Sequence, residues 1–209
     1  MVLSIVARVK GFLFSPSMTF DASKEDTLGD AFTYFLVILA IYAILIAIIA
    51  TVVFSLISGM METFGVPLAM PFGPAMGPVV GVALFIAALI GGIIGIFIGG
   101  LWLHLWVYLL GGRNGVVQTL KAGIYGSTPY LILGWIPLIN VIAMIWGLIV
   151  MVVGVRQLQG FSTGKAVLAM LLAIIVPAIL LSMLLLAFMP LMPGPFVPGP
   201  HMGPGFGGY

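Results

Sequence analysis

Gln118, Lys121, Tyr125 and Thr128 recur at intervals of three and four residues, so on a helix they form one polar stripe along a segment that otherwise suits lipid. Such a stripe must face inward. An amide, an ammonium, a phenol and a hydroxyl in one file could bind a solute or an ion, and Pro129 frees backbone carbonyls by interrupting the helical ladder. Asn140, in the segment that follows, is placed to reach toward them. A broken helix with inward polar groups is the construction of a transporter or channel site. The same residues also suit hydrogen bonding between helices, with Lys121 extending along its stem to the membrane surface.

A second group lies upstream. His104 continues the spacing of Gly92, Ile96 and Gly100 and so faces the bundle, where an imidazole serves either proton transfer or, as a neutral ring, a hydrogen bond to a neighbouring helix. Trp102, Trp106 and Tyr108 around it resemble an aromatic belt at a membrane interface. Gly91, Gly95 and Gly99, four apart, predict a helix-packing seam whose partner is another span or another copy of the chain. They are not a dinucleotide fingerprint, which needs a preceding strand and a following acidic residue.

Catalysis finds little material. Four of the five carboxylates, Asp21, Glu25, Asp26 and Asp30, precede the first long apolar run, and Glu62 stands alone beyond it, so no acid–base pair lies at membrane depth. No catalytic residue is assigned, and the expected protein is not an enzyme. Met60, Met61, Met70, Met76, Met189, Met192 and Met202, with His201, form a soft set of the kind that takes Cu(I), but their spacing is irregular and flexible apolar filler is the simpler use. With no cysteine in the chain, neither a metal site nor a cofactor is predicted.

These residues must be held by helices in a bilayer. The chain is 63% hydrophobic and 6% charged, with a mean hydropathy of 1.34, which excludes a water-soluble domain. A formal charge of +2 excludes a phosphate-neutralising surface, so no nucleic acid is expected as partner. The predicted fold is an all-α membrane protein, a bundle of five transmembrane helices with a short amphipathic helix at the amino terminus. Residues 31–58 form the first span, with Thr27 and Asp30 spaced as a capping box before it. Prolines and glycines from Gly59 to Pro78 predict a loop, and 79–110 reads as one long tilted helix. Further spans follow at 116–133, 138–155 and 166–188, separated by turns at Gly111–Gly115, Gly134–Pro137 and Arg156–Lys165.

Five spans put Arg8, Lys10, Lys24, Arg113, Lys121, Arg156 and Lys165 on one side, which the positive-inside tendency makes cytoplasmic. The expected location is the cell membrane, with the amino terminus cytoplasmic and the carboxyl terminus outside. In residues 1–30, Val2, Ile5, Val6, Val9, Phe12 and Leu13 fall on one helical face, with Ser4, Arg8 and Gly11 on the other. That suits a helix in the inner interface or one packed on the end of the bundle. Residues 189–209, rich in proline and glycine, predict a disordered extracytoplasmic tail.

The order of several weak motifs resembles the Yip1 domain family. They are Pro16 and Phe20 before the first span, the Gly111-Gly112-Arg113 turn, Tyr125 and Pro129, and the Gly154, Arg156, Gly160, Lys165-Ala166 connection into the last span. The resemblance, over residues 10–188, implies a five-span membrane protein. For eukaryotic members it implies vesicle traffic and small GTPases of the Rab type. This chain lacks their long polar amino-terminal domain and their Asp-Leu-Tyr-Gly-Pro motif, and looks more like the compact prokaryotic branch. The resulting expectation is a non-enzymatic organiser or adaptor whose partners are the bilayer and other membrane proteins or a second copy; the alternative is a small transporter or channel.

Overall fold

The computed structural model describes residues 3–65 and 74–188. Their regular structure is helical: α1 (Ile5–Phe14), α2 (Pro16–Ala22), α3 (Leu28–Thr63), a 3-10 turn (Pro74–Met76), α4 (Gly77–Leu109), α5 (Val116–Gly126), α6 (Thr128–Leu133), α7 (Ile139–Gln159) and α8 (Thr163–Phe188). Residues Met1–Ala173 form one compact unit. A second begins at Ile174 and contains the last stretch of α8, with Pro177 inside the helix.

Local chemistry sets most boundaries. α3 begins at a complete capping box: the Thr27 hydroxyl accepts from the Asp30 N–H at 3.1 Å, and the Asp30 carboxylate accepts from the Thr27 N–H at 3.0 Å. The helix then runs 36 residues, about 54 Å at 1.5 Å per residue, well beyond a 30 Å hydrocarbon core. It passes through Gly59, where the sequence predicts a loop, because one glycine costs a helix only about 1 kcal/mol. The Thr63 hydroxyl also donates to the Gly59 carbonyl at 2.8 Å. α4 begins two residues before its predicted start, with Pro78 in the first turn, where no N–H is needed. It is one continuous helix of 33 residues. At the far end of α7, Gly160 closes the helix at φ 68°, a conformation that favours glycine.

The segment predicted as the third span is different. It is two short helices, α5 of 11 residues and α6 of six, parted at Ser127 with Pro129 in the first turn of α6. Among the described residues four helices, α3, α4, α7 and α8, are long and apolar enough to cross a membrane. The most polar predicted span is therefore also the shortest in pieces, and it lies deepest: every residue of α5 from Thr119 to Gly126 is buried.

Within the chain, the close approach of α4 to its neighbours is made beside the predicted seam. A methyl group placed on Gly91, Gly95 or Gly99 would meet nothing within 4 Å, so among the described residues no neighbouring helix is seated against these three glycines. The adjacent ridge does seat neighbours. A Cβ on Gly81 would lie 2.8 Å from the Ala47 carbonyl, on Gly92 2.6 Å from Leu39, and on Gly100 2.5 Å from Leu120. Gly92 and Gly100 lie eight residues apart, as Gly91 and Gly99 do, and periodicity alone does not distinguish the two ridges.

Candidate functional site

The polar stripe of α5 is filled by the amino-terminal segment. Phe12 stacks on Tyr125 with ring centroids 4.6 Å apart, and Phe20 meets Phe12 edge-on at 4.9 Å. Beside them Arg8, only 3% exposed, forms an ion pair with Asp26 at 3.0 Å and donates to the Tyr125 hydroxyl at 3.2 Å. Tyr125 in turn donates its O–H to the other Asp26 oxygen. The three groups close a ring of bonds linking α1, α5 and the turn between α2 and α3.

Lys121, 1% exposed, does not extend to the surface as the sequence suggests. Its ammonium donates to the backbone carbonyls of Lys24 at 2.7 Å and Asp26 at 2.8 Å. It holds the main chain of the turn whose side chain Tyr125 and Arg8 hold. A buried ammonium demands such acceptors, because an isolated one loses its hydration without return. Farther along, the Thr128 hydroxyl shares a 3.0 Å hydrogen bond with Tyr34 of α3. Gln118 does not join: its side-chain oxygen is enclosed without a hydrogen-bond partner among the described residues.

His104 lies in a separate cluster. Its Nδ1 is 2.9 Å from the Thr119 hydroxyl, which also accepts from Gln159 at 3.0 Å, so α4, α5 and α7 are bonded through one threonine. Gln159 also donates to the Gly115 carbonyl at 2.8 Å. Of the aromatic residues near His104, Trp102 donates to the Ala173 carbonyl at 2.9 Å, while Tyr108 is exposed with the Arg113 guanidinium over its ring at 4.1 Å. Asn140 does not reach the carbonyls near Pro129. It donates to Gly134 at 2.9 Å and so ties the turn between α6 and α7.

Of the predicted site residues, then, Lys121, Tyr125 and Thr128 form one network, His104 another, and Asn140 a turn. Arg8 and Asp26, the charged centre of the first network, are absent from the predicted set. The available signal was Arg8 four residues before Phe12, which puts both on one helical face. The apolar face described from the sequence is split in the structure: Phe12 is fully buried and Val9 packs on the core, while Val6 is 64% exposed. Thr119 and Gln159 carried no distinguishing pattern. Of the thioether set, Met70, Met189, Met192, Met202 and His201 lie outside the described residues.

Long apolar helices around a buried polar knot define a multi-pass membrane protein. A family model, the Yip1 domain, matches residues 10–190. The chain belongs to the Yip1 family. No curated protein and no solved structure matches it.

Proposed function

We propose that the protein is a non-enzymatic organiser or adaptor of the membrane, in the manner of the trafficking members of its family. The supporting observation is what occupies the third-helix stripe: Lys121, Tyr125 and Thr128 bond to the α2–α3 turn, Arg8 and Tyr34. Groups already engaged in joining helices are not poised to coordinate a passing solute. Reconstituted protein should cause no solute flux that Lys121→Ala or Tyr125→Phe reduces. In native membranes, photocrosslinkers on its outer faces should give discrete adducts with other membrane proteins or a second copy. Flux that falls with either substitution would overturn this reading in favour of a transporter.

The proposed arrangement has five crossings, with α5 and α6 together serving as one. Their 18 residues from Val116 to Leu133 cover about 27 Å, close to the hydrocarbon thickness. All seven cations then share the cytoplasmic side and the carboxyl terminus lies outside. Because the chain has no cysteine, single cysteines with an impermeant thiol reagent test it: Gly73 and Gly205 should label from outside intact cells, Gly115 and Thr163 should not.

A further inference from the structure

α7 is a ruler for depth. Its 21 residues span about 31 Å, one hydrocarbon thickness, so its two ends mark the two membrane surfaces. Trp146 is thirteen residues before Gln159, about 20 Å along the axis from that end. Its indole N–H donates to the Leu13 carbonyl at 3.0 Å. By contrast Ser17, four residues past Leu13, accepts from Arg156 at 3.1 Å and Gln157 at 2.6 Å, in the last turn of α7. At the other end of α1, Arg8 is bound to Asp26, just outside the start of α3. The turn between α1 and α2 therefore reaches deeper than the last turn of α7, while Arg8, nearer the start of α1, lies beside the start of α3.

The backbone of that turn suits lipid. The Ser15 N–H donates to Gly11 at 2.7 Å, Pro16 has no N–H, and the Ser15 carbonyl accepts from both the N–H and the hydroxyl of Thr19, at 3.1 and 2.9 Å. With Leu13 taking the indole, the Ser15 N–H and the Gly11, Leu13 and Ser15 carbonyls are met internally, as polar backbone at membrane depth requires. Around it Phe14 is 81% and Met18 73% exposed, two large apolar side chains without cover in the chain's described residues.

We propose that α1 and α2 form a re-entrant hairpin seated in the leaflet on the amino-terminal side, with Phe14 and Met18 covered by lipid acyl chains. It rests on the reading that α7 crosses the bilayer. Lys10, exposed one turn above the tip, reaches back to the headgroups along its stem.

The test uses the full chain with single cysteines carrying nitroxides at Phe14, Met18, Glu25 and Ile145, in phosphatidylcholine–phosphatidylglycerol liposomes, with collision by oxygen compared to a water-soluble nickel chelate. Phe14 and Met18 should match the lipid-facing Ile145 of α7, open to oxygen with loss of access to nickel, and Glu25 should be open to nickel. A Phe14 label open to nickel would place the hairpin in water. One closed to both reagents would mean that protein covers it. Either result, with Ile145 still in lipid, overturns the hairpin alone; an Ile145 label open to nickel overturns the crossing of α7 as well.

Discussion

The two ends of the α3–α4 pair are held together by opposite means. Near its start, α3 buries Ala31, Tyr34, Phe35, Ile38 and Leu39 in a core that includes Phe12, Tyr125 and Val107, with the Arg8–Asp26 pair closed off beside it. Beyond Ala43 only Ser58 of α3 is buried, and the helices meet through Gly77 and Gly81 of α4. There Thr51 and Ser58 donate to carbonyls of their own helix, Thr51 to Ala47 at 2.9 Å. One end is fastened by directional bonds that each need a specific partner. The other is fastened by closeness, which in lipid supplies dispersion contact without any hydrophobic drive.

That contrast can be broken at either end. The largest effect is expected for Asp26→Ala, which leaves Arg8 without its counter-charge in a buried site. Removing one partner of such a pair costs about 3–5 kcal/mol, read as a loss of stability in reversible unfolding in mixed micelles. Tyr125→Phe keeps the ring stack on Phe12 and deletes the hydroxyl shared by Arg8 and Asp26, for which a loss of about 1.5–3 kcal/mol is expected in the same assay.

At the far end, Gly81→Leu forces α4 away from the Ala47 carbonyl and should cost about 1–3 kcal/mol. It should also lengthen a nitroxide distance between α3 and α4 beyond Ala43 while leaving the Arg8 end unmoved. Gly95→Ala sharpens the comparison as its control. Nothing lies within 4 Å of the added methyl, so stability should not fall and should rise by about 0.5–1 kcal/mol from helix propensity. A large loss there would show that the exposed glycine ridge packs against a second copy.

How far the sequence could be read depended on how local the determining physics was. The Thr27–Asp30 capping box needs only two residues three apart, and both of its bonds form. The polar stripe of α5 followed from period and apolar context, and its residues from Lys121 onward do face protein. Which groups answer them did not follow, because Arg8 and Asp26 are 117 and 99 residues from Tyr125 along the chain. No spacing rule covers such a separation.

The sequence by itself determined that this chain is helical, belongs in a bilayer and carries seven of its twelve charges in the first thirty residues, since backbone bonding and the cost of desolvating charge act residue by residue. Only the tertiary structure decided between the two glycine ridges of α4, turned Arg8 inward and spent the α5 stripe on the α2–α3 turn. Those outcomes depend on which surfaces reach each other first at van der Waals distance, and a periodic pattern offers each face equally until a neighbour fills one of them.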